Sequence, residues 1–291
     1  MNIEISSVEL AQILQERSNS LILDIRSKDN YMSGHISGSA NAVCTSMQQK
    51  QIIMSKIPPN MKVILIDEDG SEAKQNATMM ARFGFDAHYL KDGFKSWTGQ
   101  IVKSTQDTTI SGDILWNSIR QDNDVFLLDV REPQEFAEFK IPGAVNIPLS
   151  QLFMPGSQLQ IPKDKKIVTI CSHGNRSMVA TFALAQNGLE STSLVGGMSL
   201  WNQVLGATVL KENDIVIIQV EKIGKGCLSH IIGSNGEAVV IDPTYPPSKY
   251  LEYAQKEGLK ITKVIDTHQH ADHVSAAKEL SQITGSKLYL S

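Results

Sequence analysis

KIVTICSHGNRSMVATFALAQNG, residues 166–188, is the stretch that decides the fold. It opens with a short β-branched run, passes through a cysteine, a glycine and an arginine, and continues into a helix-like apolar stretch that ends at Gly188. A continuous apolar run of this kind fits a strand buried on both faces of a parallel sheet. Gly188 stands where the following helix should terminate. Cys171 then lies at the carboxyl end of a strand, over the N-terminus of a helix that starts near Arg176. The first N–H groups of a helix are unpaired and point outward, and with the helix dipole they favour an anion. A thiolate is such an anion and a competent nucleophile. Gly174 allows the backbone to curl so that several N–H groups converge, and Arg176 adds a positive charge.

Outward from this stretch, the chain repeats itself. LILDIR at 21–26 returns as FLLDVR at 126–131, and HISGSAN at 35–41 as KIPGAVN at 140–146, both displaced by 105 residues. LKDGFKSW at 90–97 returns as LVGGMSLW at 194–201, displaced by 104. One deletion between the matches accounts for the change. Residues 1–100 and 106–205 are therefore read as two copies of one α/β unit, each with a central parallel sheet flanked by helices. Ser6 and Glu9 predict a capping box ahead of Leu10, Ile13 and Leu14, and Ser111 takes the same place in the second copy. Gly84 is the counterpart of Gly188 as a helix terminator.

The whole chain of 291 residues suits two domains or a few small ones, and at 41% hydrophobic residues it has material for real cores. The net charge of −4 argues for neither nucleic acid nor an anionic membrane as partner. No apolar run reaches the ~18 residues that would span a bilayer, and the N-terminus lacks the pattern of a signal peptide. Three cysteines, Cys44, Cys171 and Cys227, form no paired set, which points to a reducing, cytoplasmic setting. Cys227, in an apolar strand-like context, is expected in a core, and Cys44 is given no role.

The pattern C-x-x-G-x-R-S at 171–177, D-V-R-E from Asp129, I-P-G-A-V-N-I-P at 141–148 and G-G-M-x-x-W at 196–201 resemble the rhodanese sulfurtransferases. The resemblance implies that Cys171 takes a sulfane sulfur, holds it as a persulfide and yields it to a nucleophile. It also implies that Ser172, His173, Gly174, Asn175, Arg176 and Ser177 bind the substrate, mostly through their backbone. His173 alternatively faces solvent. Asp129 and Arg131 either support catalysis or brace the fold as an internal ion pair. Rhodanese-fold phosphatases and arsenate reductases have one more residue in this loop, so its length favours sulfur over phosphate. Small-molecule sulfur donors and thiol acceptors are the expected partners, and sulfur transfer itself requires no cofactor.

Aligned through Gly84 and Gly188, the first copy places Asp67 against Cys171, Gly70 against Gly174, Glu72 against Arg176 and Ala73 against Ser177. The nucleophile is gone and Asp67, Glu68, Asp69 and Glu72 would repel an anionic sulfur donor. Residues 1–100 are read as a rhodanese-like domain without sulfur transfer that stabilises its twin or docks a partner.

From about Asp214 the pattern changes. DIVIIQVE, SHIIGSNGEAVVIDP and KVIDTHQHADH read as strand, hairpin and strand, with S-N-G at 234–236 as the hairpin turn and a helix over Tyr250 to Gly258. His268, His270, Asp272 and His273 follow the last strand. Imidazoles and a carboxylate in this density suit zinc or iron. H-x-H-x-D-H resembles the metallo-β-lactamase superfamily, most closely its persulfide dioxygenase and glyoxalase II branch. In dinuclear members the residues matching His268 and His270 bind one metal, and those matching Asp272 and His273 the other. In the iron-dependent persulfide dioxygenases only the match to His268 is a direct ligand. Only 18 residues follow His273, and the later histidine and aspartate of that family have no counterpart here. Residues 212–291 are expected to be the front of an αββα domain with an incomplete metal site, completed in a longer protein or by a separate chain; the missing half of this domain or a homo-oligomer are the further expected partners. The functions that follow are sulfur transfer coupled in the complete protein to a metal-dependent persulfide dioxygenase, a glyoxalase II-like metallohydrolase with accessory rhodanese units, or a module that senses persulfides without turnover.

Overall fold

The structure is a computed structural model that describes residues 3–16, 19–42, 51, 54–58, 60–104, 107–121, 124–154, 160–269 and 274–290. The chain divides into two compact units, Met1–Met198 and Ser199–Ser291.

The first unit holds both copies. Strands β1 (Glu4–Ile5), β2 (Ser20–Asp24), β4 (Ser39–Asn41), β5 (Lys62–Ile66) and β6 (Asp86–Leu90) form an all-parallel sheet in the order β1-β6-β5-β2-β4. Strands β3 (His35–Ile36) and β7 (Ile101–Val102) make a separate antiparallel pair. In the second copy, β8 (Thr109–Ile110), β9 (Val125–Asp129), β10 (Val145–Asn146), β11 (Lys166–Ile170) and β12 (Ser191–Leu194) repeat the same succession as β10-β9-β11-β12-β8. The repeat seen in the sequence is thus a repeat of topology.

Among the described residues the α-helices of the first copy are α1 (Ser7–Glu16), α2 (Lys28–Ser33) and α3 (Ser71–Arg82). Those of the second are α4 (Gly112–Gln121), α5 (Pro133–Glu138), α6 (Leu149–Leu152), α7 (Asn175–Gln186) and α8 (Gly197–Trp201). The capping box forms at α1: the Ser6 N–H donates to Glu9 Oε2 at 2.7 Å and the Glu9 N–H to Ser6 Oγ at 3.3 Å. Helices α3 and α7 end as expected at glycines with positive φ, Gly84 at 88° and Gly188 at 70°. Beyond them, the Phe85 N–H reaches Met80 O and the Leu189 N–H reaches Leu184 O, closing the Schellman turn in both copies.

The core explains why two copies make one unit. Helix α7 buries Val179, Ala180, Phe182, Ala183 and Leu184. They join one cluster with Leu21, Leu23 and Ala40 of the first copy and with Leu128, Val130 and Ile167 of the second. The Gln186 side chain donates to the Ser20 carbonyl across the same junction. The alternate residues of the first sheet, Ile22, Ile64 and Ile66, point to the other side, against Leu10 and Trp97.

In the second unit, β13 (Leu205–Glu212), β14 (Ile215–Lys222), β15 (Cys227–Ser234), β16 (Glu237–Ile241), β17 (Lys260–Asp266) and β18 (Lys287–Leu290) form one sheet in chain order. The first four strands run antiparallel, and β16, β17 and β18 run parallel. Strand β13 had no counterpart in the sequence reading, since LGATVLKE lacks a clean alternation. Asn235 and Gly236 both take positive φ, 51° and 80°, as a two-residue type I′ hairpin requires. Helices α9 (Pro247–Lys256) and α10 (Ala277–Thr284) provide the parallel crossovers. Helix α9 starts three residues before the expected Tyr250 because Pro247 supplies a ready first helical residue. Ile218, Val220, Ile231, Val240, Tyr250, Ile261, Val264 and Leu280 form the core. Cys227 opens β15 half-buried rather than in that core, because the strand end leaves it beside the turn at Gly226.

Candidate active site

Cys171 follows β11 directly and is 1% exposed. Gly174, the residue before α7, takes φ 92° and ψ −15°, a left-handed conformation that turns the chain into the helix. The turn aims the Gly174 N–H at Cys171 Sγ, 3.1 Å away. Sγ also lies 3.5 Å from Ser177 Oγ. Ser177, fully buried, donates to Gly174 O at 3.0 Å and meets Ser193 Oγ at 2.8 Å. The sulfur therefore sits in the cradle at the head of α7 that the sequence predicted. The glycine pair closes it from the side. A Cβ on Gly197 would stand 2.0 Å from Cys171 O, and the Met198 N–H donates to that same carbonyl at 2.8 Å.

Arg176 does not act as a free cation. Its guanidinium forks onto Glu135 of α5, with Nη1 to Oε2 and Nη2 to Oε1 both at 2.7 Å. Nη2 also reaches Ser172 Oγ at 2.8 Å, and Ser172 donates to Glu135 Oε1 at 2.7 Å. The Glu132 N–H completes the carboxylate's shell at 3.2 Å. The Arg176 guanidinium, with help from Ser172 and the Glu132 N–H, lowers the Glu135 carboxyl to about 2, and the carboxylate in turn pushes Arg176 up. Glu135 escaped the sequence reading because E-P-Q-E looks like a local helix start. It is indeed a capping box, but its second partner lies 41 residues away. His173 is exposed and Asn175 half-buried.

Asp129 and Arg131 form a buried pair, 0% and 5% exposed, with Nη2 2.7 Å from Oδ2. Arg131 also donates to Phe139 O at 2.6 Å, and the Asn146 amide donates to the carbonyls of Asp129 and Arg131, each at 2.9 Å. The first copy has the same device: Asp24 with Arg26 at 2.6 Å, Arg26 to Gly34 O at 2.8 Å, and Asn41 to the carbonyls of Asp24 and Arg26 at 3.1 and 3.0 Å. The brace therefore persists in the copy without a thiol, which supports the architectural of the two readings.

The first copy's loop has the same backbone, with Gly70 at φ 88° and ψ −8° before α3. Asp67 fills its cradle. Oδ1 accepts from the Gly70 N–H at 2.6 Å, and Oδ2 from the N–H groups of Glu72 at 2.7 Å and Ala73 at 3.2 Å. The carboxylate occupies the place where the second copy carries sulfur.

In the second unit, exposed His268 follows β17, with Nδ1 2.9 Å from Thr267 Oγ1. The Thr267 N–H and hydroxyl both donate to the Asp242 carboxylate at 2.7 Å. His270, Asp272 and His273, and likewise Cys44, lie outside the described residues. Among the described residues no group of three or more histidine, cysteine and acidic side chains is arranged to hold a metal ion. His268 alone does not make a metal site. Among them, too, no helix is long and apolar enough to cross a membrane.

Comparison with known proteins agrees with this division. The rhodanese-like domain family matches residues 6–100 and 111–204, and the metallo-beta-lactamase superfamily matches residues 223–291. A sulfurtransferase of Allochromatium vinosum is 34% identical over 93 residues, covering 32% of this chain and 85% of that protein. The crystal structure of a rhodanese-related protein from Thermoplasma volcanium is 38% identical, covers 32% of this chain and 88% of that one, and has a TM-score of 0.29. That of a metallo-beta-lactamase from Staphylococcus aureus is 32% identical, covers 28% of this chain and only 25% of that one, and has a TM-score of 0.27. With two matched copies over most of its length, the chain belongs to the rhodanese family and continues into a segment of the metallo-beta-lactamase superfamily.

Proposed function

We propose that the protein is a sulfurtransferase that carries a sulfane sulfur on Cys171. The observation that carries the reading is the Gly174 N–H held 3.1 Å from Sγ at the head of α7. The carboxylate of Asp67 supports it further. The donors to Asp67 Oδ2 are the N–H groups of Glu72 and Ala73, whose counterparts are those of Arg176 and Ser177. A second sulfur extending from Cys171 takes the position that Oδ2 takes in the first copy.

In the first half-reaction the Cys171 thiolate attacks the outer sulfur of the donor. The S–S bond of the donor breaks, sulfite or a thiolate leaves with its electron pair, and Cys171 becomes a persulfide anion. In the second, an acceptor thiolate or cyanide attacks the outer sulfur, and the Cys171 thiolate is released. No external oxidant or reductant enters either step. The first copy, with Asp67 in its cradle, takes no sulfur. The metallo-beta-lactamase-like segment on the same chain supports an extension: in the complete protein the Cys171 persulfide is exchanged with a metal-dependent persulfide dioxygenase, the tether raising the concentration of one site at the other. A thiol that must stay reduced suits the cytoplasm.

The test is intact mass after incubation with thiosulfate or a persulfide, on wild type and Cys171→Ala. One added sulfur atom on the wild type alone is the expected result. No gain with any donor overturns the reading.

A further inference from the structure

Two copies of one fold, one with the thiol and one without, sort the residues near Cys171 into two groups. The Asp–Arg–Asn brace is the same in both copies, as described above. Of the positions that change together with the thiol, three bond to one another in the second copy. Ser172 corresponds to Glu68, Arg176 to Glu72 and, through the equivalent helices α5 and α2, Glu135 to Asn30. These three are the members of the Glu135–Arg176–Ser172 network. Yet the loop of the first copy keeps the same backbone without them, since Gly70 and Gly174 agree within a few degrees in φ and ψ. The network is therefore not what folds the loop. It accompanies the chemistry.

Its effect on charge is specific. Arg176 is the cation nearest the thiol in the loop, and it interacts electrostatically with Cys171, Glu135 and Glu132. The fork onto Glu135 holds the guanidinium in one orientation and cancels its charge. Glu132 adds a further negative charge that acts on Arg176. A donor that brings two negative charges gains little from such a site, whereas a donor with one loses little.

We propose that Glu135 is a positioning residue that holds and neutralises Arg176, and so sets the Cys171 site to prefer singly charged persulfide donors over dianionic thiosulfate. The inference rests on the sulfurtransferase reading. Glu135 touches no reacting atom and acts through Arg176.

Rates of Cys171 loading measured with thiosulfate and with cysteine persulfide test it in the full chain. Glu135→Gln keeps an acceptor for Arg176 but removes the charge. It should move the ratio of kcat/KM toward thiosulfate by about three- to ten-fold, the effect of one unit charge a few ångströms away in a partly solvated site, mainly through KM. Glu135→Asp, which retains the charge, should restore the wild-type ratio in part. Arg176→Gln should move the ratio the opposite way, which keeps the test decisive if Glu135→Gln does not fold. A purely structural role would slow both donors equally, and an unchanged ratio in Glu135→Gln and Arg176→Gln overturns the role of Glu135 while leaving sulfur transfer standing. A wild type loaded by neither donor overturns the sulfurtransferase reading, and this inference falls with it.

Discussion

Replacement of Asp67 by alanine should destabilise the first unit although the residue does no chemistry. Its carboxylate, 6% exposed, satisfies three N–H groups at the head of α3, at 2.6, 2.7 and 3.2 Å. Losing a helix cap costs about 0.5–2 kcal/mol, and a hydrogen bond to a charged group contributes about 1.5–3 kcal/mol. The three donors share one carboxylate and water refills part of the space, so these figures do not add. A loss of about 2–4 kcal/mol follows. For a unit of this size that corresponds to a fall in Tm of about 5–12 °C. Asp67→Asn, which keeps the shape and one acceptor oxygen, should lose about half as much. Thermal and urea unfolding of the full chain, followed by circular dichroism and by the fluorescence of buried Trp97, reads the change. An alanine variant within about 0.5 kcal/mol of wild type would refute the reasoning.

Phe182→Ala, in the core shared by the two copies, should cost about 3–5 kcal/mol, seen as a lower urea midpoint. Arg26→Ala and Arg131→Ala each strand a buried carboxylate and should destabilise by a similar ~3–5 kcal/mol; a much smaller loss at Arg26 would contradict the architectural reading of the brace. Gly197→Ala drives a methyl group into Cys171 O and should slow sulfur loading at least about ten-fold, because small displacements at a reacting centre are amplified in rate; loading at the wild-type rate would mean that the loop yields freely. The Glu135 carboxyl, at about 2 in the fold and about 4.5 when free, is depressed by folding. It therefore stabilises at every pH above about 4.5 and ceases to as the pH falls towards 2. Acid unfolding of Glu135→Gln should accordingly be flatter than that of wild type between those limits, with no difference in shape from pH 5 to 8.

The parts legible in the sequence were those that depend on near neighbours. Gly84 and Gly188 end helices because only φ within a few residues is involved, and Ser6 and Glu9 cap α1 across three positions. Cys171 declared itself for the same reason, since the strand, thiol and helix are consecutive. Glu135 did not, because its bond to Arg176 crosses between two helices that only the folded sheet brings together. Asp67 was seen as a missing nucleophile and a source of repulsion. That its carboxylate turns inward onto Glu72 and Ala73 is a matter of rotamer and backbone curl that residue type alone does not reveal. Likewise, the apolar stretch before Gly188 reads as a helix, but sequence alone does not say that Leu21 and Leu23 of the other copy lie against it.

The burial of α7 between two sheets has a consequence for how this chain tolerates change. The loop of the first copy is free to carry an aspartate where the second carries a cysteine. Its strands had no such licence, because Leu21, Leu23 and Ala40 form the back wall of the helix whose opening turn presents Cys171. Cutting the gene at the repeat boundary would not liberate a working half. It would strip a wall from the helix whose opening turn presents Cys171, and the half without a thiol would prove to have been holding the other half's thiol in place.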